Sequence, residues 1–172
     1  MSKVAKFYKV SEDRFIKDWL DNFSDSENEA KNIYNDIKLP KRATVGSAGY
    51  DFYTPISFSL KPNEQIKMPT GIRVKMKSDW VLCIFPRSSW GFKYRLQIDN
   101  TVGIIDSDYY YSNNEGHIFI KVTNDTKENK VFDIDKGMGL AQGIFLQYGI
   151  VEDDDVVEIR NGGFGSTNEW IY

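Results

Sequence analysis

Ile72-Arg73-Val74-Lys75-Met76-Lys77 decides the fold class. Apolar side chains take every second position and cations fill the positions between. That is the period-2 pattern of a strand with one face buried and the other wetted. Working outward, Ile118, Ile120 and Val122 repeat the alternation, and from about Ser57 onward Gly and Pro punctuate such runs at short intervals. The pattern predicts an all-β domain, a sandwich or barrel of short strands.

The segment from about 11 to 37 has a different period. Phe15, Ile16, Trp19, Leu20 and Phe23 lie on one helical face, and Ala30, Ile33, Tyr34 and Ile37 form a second such row. Between them Ser26-Glu27-Asn28-Glu29 has the form of a capping box, which starts a new helix. The prediction is a helical hairpin placed ahead of the β domain, serving either as extra packing or as a surface for a protein partner.

The chain has 172 residues, enough for one domain that buries roughly two thirds of its unfolded surface. Hydrophobic residues make up 41% and charged residues 27%, with a net charge of −3, which reads as soluble and globular. The acidic balance lacks the basic field that non-specific nucleic-acid binding requires, so no direct nucleic-acid partner is expected. No apolar h-region follows Met1 and no apolar run approaches the length of a membrane span, so a cytoplasmic protein without membrane contact is expected. Cys83 is the one cysteine and His117 the one histidine. Cys83 sits in an apolar run and reads as a small buried hydrophobe. A lone cysteine and a lone histidine, each set in its own apolar run, do not supply the partners that a zinc site or a Cys-His catalytic centre would need.

Four clusters carry possible chemistry. Ala48-Gly49-Tyr50-Asp51 places a carboxylate beside a turn residue. Pro86-Arg87-Ser88-Ser89 puts one cation and two hydroxyls on a turn suited to phosphate. Asn100 to Tyr109 has an apolar middle that ends in Asp106, Asp108 and Tyr109, and reads as a hairpin with a possible general base at its tip. Arg160-Asn161-Gly162-Gly163-Phe164-Gly165-Ser166-Thr167 is too glycine-rich to hold a helix or strand by itself. It reads as an arm that orders on a ligand, with residues 1–159 forming the domain and 160–172 the arm.

Taken in order and approximate spacing, these clusters resemble the five motifs of the dUTPase family. The resemblance runs from about Leu39 to Thr167, with Gly139-Leu140-Ala141-Gln142 keeping the end of the fourth motif. It implies a distorted jelly-roll-like β-barrel that hydrolyses dUTP to dUMP and pyrophosphate with Mg²⁺. Most of that family forms homotrimers with shared sites, so a homotrimer is expected. The resemblance also implies roles. Asp106 activates the attacking water. Asn100 and backbone near Gly103 read uracil. Tyr109 packs on the deoxyribose and excludes a 2′-hydroxyl. Arg87, Ser88, Ser89 and Gln142 hold phosphates, and Asp51 helps place Mg²⁺ through water. Phe164 stacks on uracil while Arg160, Gly165, Ser166 and Thr167 close over the phosphates.

The chain departs from the family pattern at four places, one of them Asn168 where the family usually has Gly. Met138-Gly139 stands where the fourth motif carries an Asp-Arg pair, the connection after Tyr109 is longer, and the arm is one residue shorter between Arg160 and Phe164. Two other readings compete. A dCTP deaminase shares the Arg-Ser-Ser turn, but the Phe-containing arm and the Asp106-to-Tyr109 pattern favour the pyrophosphatase. A nucleotide-responsive regulator would use the helical hairpin to bind its partner.

Overall fold

The computed structural model describes residues 2–158 and 160. In chain order the elements are β1 (Ala5–Lys9), α1 (Glu12–Leu20), α2 (Glu27–Asp36), β2 (Lys41–Arg42), β3 (Tyr50–Tyr53), β4 (Phe58–Leu60), β5 (Gln65–Pro69) and β6 (Ile72–Met76). They continue as β7 (Trp80–Pro86), α3 (Ser88–Tyr94), β8 (Leu96–Ile98), β9 (Gly103–Ile105), a 3-10 turn (Ser107–Tyr111), β10 (Phe119–Asn124), β11 (Phe132–Ile134) and β12 (Gly139–Gln147). The all-β class holds.

The strands do not close into one barrel. They form four ladders, ordered β1-β6, β5-β10-β8, β11-β4 and β2-β3-β12-β7-β9. Nearly all the strands span seven residues or fewer, too short to carry one continuous ladder around a core. The apolar side chains still meet in a single interior, where Phe52, Met68, Leu82, Ile84, Leu96, Ile118, Phe132 and Leu140 are fully enclosed. The alternation at Ile72, Val74 and Met76 is that of β6, whose outer residues pair with β1 through the register Lys6↔Lys75 and Tyr8↔Arg73. Strand β1 went unread in the sequence because its partner lies far along the chain.

The helical hairpin is observed within the predicted bounds. Ser11 begins α1 with extended backbone and accepts from the Arg14 amide, and Ser26 and Glu29 form the reciprocal capping box that begins α2. The hairpin does more than cover the surface. Phe15 and Trp19 are fully buried in the main core, stacked on one another at 5.3 Å, and Phe23 stacks on Trp19 at 4.3 Å. The Trp19 indole N–H donates to Asp25 at 2.7 Å and the Tyr34 hydroxyl donates to the Val10 carbonyl at 2.7 Å, so both rings have their polar ends satisfied. Trp19→Ala should therefore cost about 3–5 kcal/mol in urea unfolding. A loss below about 1 kcal/mol, the scale of a surface change, would mean that the hairpin rests on the core without being part of it.

Candidate functional site

Two groups of the predicted residues come together, and strand β7 separates them. The first group surrounds a cavity of about 280 Å³ lined by Asn100, Gly103, Asp106, Tyr109 and Arg160, with Ile84, Ile98 and Ile118 among its apolar walls. The segment from Asn100 to Tyr109 is not a hairpin. Strand β8 pairs with β10, whereas β9 pairs with β7. A tight bend joins them, with Thr101 in the left-handed region at φ +66° and its amide bonded to the Ile98 carbonyl at 2.8 Å. This crossing from one ladder to another opens the cavity, and Asp106 stands at the end of β9 where the 3-10 turn begins.

Asp106 is half-exposed and paired with the Arg160 guanidinium, whose Nε also lies 2.9 Å from Asp108. Tyr109 is buried, and its hydroxyl donates to the His117 carbonyl at 2.8 Å and accepts from the Asn114 amide at 2.7 Å. Burial raises the Tyr109 phenol pKa above its ordinary value, so the ring stays neutral at physiological pH. Burial likewise raises the pKa of the Cys83 thiol, in keeping with the inert hydrophobe read from its sequence.

The second group lies at the far end of β7. Asp51 on β3 is the register partner of Gln142 on β12, and Arg87 Nε lies 3.1 Å from Asp51 Oδ1. The Gln142 amide donates to the Pro86 carbonyl at 3.1 Å. Ser88 and Ser89 are exposed and open helix α3, so the predicted turn is a helix start. The altered fourth motif has a local consequence here. A Cβ built on Gly139 would lie 2.6 Å from Arg87 Nη1, and Arg87 and Trp90 both donate to the Gly139 carbonyl. Gly139 thus leaves the space that the Arg87 side chain occupies.

Strand register fixes the separation of the two groups. Asp106 follows Ile105, the partner of Leu82, and runs toward Val81. Arg87 lies five residues past Leu82 in the opposite direction. Six positions of extended chain span about 20 Å. Phe164, Gly165, Ser166 and Thr167 lie outside the described residues.

Among the described residues, no three His, Cys, Asp or Glu side chains converge as a metal cage. Mg²⁺ does not require one, because it retains water and leans on one or two carboxylates and on substrate phosphates. Asp51, one carboxylate oriented by Arg87 beside the phosphate-binding candidates, suits that donor set. No helix of the described residues is long and apolar enough to cross a membrane.

The sequence reading missed Asp18 and the use made of His117. Both are buried on the inner side of α1, with His117 Nδ1 2.6 Å from Asp18 Oδ2. The Gly71 amide donates to His117 Nε2 at 2.8 Å, so the proton sits on Nδ1 and the imidazole is neutral. Burial lowers the His117 pKa, outweighing the Asp18 carboxylate that favours the charged ring. Burial acts to raise the Asp18 pKa, but hydrogen bonds from His117 and Arg14 hold it below the ordinary carboxylate value. The signal in the sequence was an acid set between Phe15 and Trp19 on an apolar helical face.

Comparison with known proteins gives one family. Residues 35–168 match the dUTPase family model. The deoxyuridine 5′-triphosphate nucleotidohydrolase of Lactococcus lactis is 42% identical over 134 residues, covering 76% of this chain and 88% of that protein. The Dictyoglomus turgidum protein of the same name is 36% identical over 144 residues, covering 78% and 93%. The dUTPase structure from Streptococcus mutans superposes with a TM-score of 0.58 at 36% identity, covering 66% of this chain and 88% of that one. A phage phi11 dUTPase of Staphylococcus aureus, in which a structural Mg(II) ion is coordinated, shares the fold at a TM-score of 0.61 and 19% identity, covering 91% and 98%.

The neutral, buried imidazole makes stability pH-dependent in a defined direction. The unfolded His117 takes its proton near 6.5, whereas the folded ring takes it only at lower pH. Below about pH 6.5 the unfolded chain therefore binds more protons, and unfolding free energy falls with pH until the folded value is passed. Urea unfolding at stepped pH from 7.5 to 5 should show that decline, and His117→Gln should flatten it. An identical slope in the two proteins would place the titration elsewhere.

Proposed function

The chain belongs to the dUTPase family and is a hydrolase of dUTP, and we propose that it performs the reaction at a site assembled between copies of itself. The observation that carries this reading is the split of the site. The candidate base and the candidate phosphate-holding residues stand about 20 Å apart along β7, much too far for one water and one α-phosphate to touch both. A neighbouring copy that brings its Arg87, Ser88, Ser89 and Gln142 to the Asp106 cavity completes the site. A closed homotrimer is the symmetry that gives every copy the same pair of neighbours.

The residues then divide the work. Asn100 and the backbone at Gly103 hold the base, with the apolar walls of the cavity limiting its size. Cytosine exchanges a donor for an acceptor and leaves buried groups unpaired, so the pocket rejects dCTP. The Tyr109 ring, pinned by two hydrogen bonds, closes the side where a 2′-hydroxyl would sit. Asp106 accepts a proton from water as its oxygen bonds to the α-phosphorus. The bond from that phosphorus to the bridging oxygen breaks, and pyrophosphate leaves with the electron pair. Arg87 and Gln142 place and screen the leaving phosphates. Asp51 would help hold Mg²⁺ through its water shell, and the ion would supply charge neutralisation on the triphosphate.

Arg160 has a distinct part. In the free chain it occupies both Asp106 and Asp108. A triphosphate offers it a more highly charged partner, and its departure leaves Asp106 open to water. Phe164, Gly165, Ser166 and Thr167 follow Arg160 in the chain and are assigned to closure over the base and phosphates. The relatives are nucleotidohydrolases, and neither the deaminase nor the regulator reading has comparable support.

A turnover assay on the four dNTPs, dUTP and UTP, with and without Mg²⁺, tests the reading. Pyrophosphate release is expected from dUTP alone and only with the metal. Asp106→Asn should bind dUTP yet lose at least about a hundredfold in kcat, the lower scale for removing a general base. Near-normal turnover by that variant would remove Asp106 from the role.

A further inference from the structure

Tyr109 owes its position to the segment that follows it, and that segment is held by the helical hairpin. The loop from Ser112 to His117 folds back over the ring. The Ser112 hydroxyl donates to the Tyr109 carbonyl at 2.7 Å, and Asn114 and the His117 carbonyl fix the phenol hydroxyl. A Cβ built on Gly116, at φ +70°, would lie 2.7 Å from the Tyr109 carbonyl oxygen, so the loop passes against the backbone it supports.

Helix α1 grips the loop at three points. Glu115 accepts from the Ser11 amide at 2.8 Å and from the Ser11 hydroxyl at 2.6 Å. Arg14 donates to the Asn113 carbonyl at 3.4 Å. Asp18 accepts from His117 Nδ1 at 2.6 Å. Glu115 adopts φ +59°, a left-handed conformation unfavourable for its side chain. The conformation persists because it aims the carboxylate at the first turn of α1, where a negative charge is stabilised. His117 is held from both sides, by Asp18 on the hairpin and by the Gly71 amide. The route from the hairpin to the cavity is short: one residue, His117, links the hairpin's carboxylate to the carbonyl that holds the Tyr109 hydroxyl.

We propose that Asp18 and His117 are positioning residues for sugar selection, and that the helical hairpin, through the 112–117 loop, is the outer support of the wall that excludes a 2′-hydroxyl. This rests on the reading of Tyr109 given under the proposed function. Loosening the support lets the ring give way. A ribonucleotide then enters more easily and a deoxyribonucleotide is held less firmly, while the groups that act on the α-phosphorus stay in place.

The test measures kcat and KM for dUTP and for UTP in the wild type, Asp18→Ala, Asp18→Asn, Glu115→Asn and Tyr109→Ala, well below the melting temperature of each. Glu115→Asn keeps a residue that tolerates positive φ, lies on a partly exposed loop, and removes the grip without opening the core, so the test survives if Asp18→Ala does not fold. Asp18→Ala and Glu115→Asn should each lower the dUTP-to-UTP ratio of kcat/KM by about fivefold to tenfold, through KM more than kcat. Asp18→Asn keeps an acceptor for His117 Nδ1 and should recover most of the ratio. Adding Asp18→Ala to Tyr109→Ala should change the ratio little further, because both act on one ring. A lowered melting temperature with an unchanged ratio in both hairpin-side variants would make the grip purely structural and overturn the proposal. Absence of dUTP turnover in the wild type would instead overturn the functional reading and this inference with it.

Discussion

Strand β7 carries ladder bonds on both of its edges, to β9 on one side and to β12 on the other. That double pairing is the constraint from which the rest of the site follows. It fixes β9 so that Asp106 emerges at one end of the strand. It fixes β12 so that Gln142 lies beside Pro86 and opposite Asp51 at the other end. A central strand cannot slip by one residue without turning its buried Leu82 and Ile84 outward, so the separation of the two groups is set as firmly as the core. The two groups of candidate residues therefore stand apart along one chain, which is the separation that the proposed shared site would bridge with a second copy.

A second constraint shapes the base-and-sugar half. The hairpin buries Phe15 and Trp19 in the core and in doing so carries Asp18 inward to the one histidine. A buried carboxylate beside a buried ring is tolerable only when each hydrogen-bonding position is filled, and here Arg14, His117 and the Gly71 amide fill them. The polar contact therefore fixes where the hairpin docks. The hairpin and the connection after Tyr109 bind each other.

Much of this was legible in the sequence. The period-2 runs at Ile72–Met76 and Ile118–Val122, the two helical rows and the Ser26–Glu29 box each express a local preference that packing reinforces, and all appear as read. Long-range pairing was not legible. The five residues of β1 lack a clear alternation, and their partner strand is distant. The Asn100–Tyr109 segment has the look of a hairpin, yet the strands on either side of its bend, β8 and β9, join different ladders, because the alternative partners β7 and β10 each offer a long buried edge. Family likeness named the candidate site residues one by one, but only the register of β7 set them in two groups about 20 Å apart. Asp18 carries no motif, and its place emerged only from which helical face turned inward.

Subunit complementation tests the shared site most directly. Asp106→Asn and Arg87→Ala, each of low activity alone, are unfolded, mixed in equal amounts and refolded together. If base and phosphate contacts come from different copies of a cyclic trimer, random assembly rebuilds both intact halves at about one quarter of the sites, and turnover should rise to about that fraction of wild type. If mixed oligomers form but turnover stays at the mean of the two variants, each chain builds its own complete site and the account of a divided one is wrong.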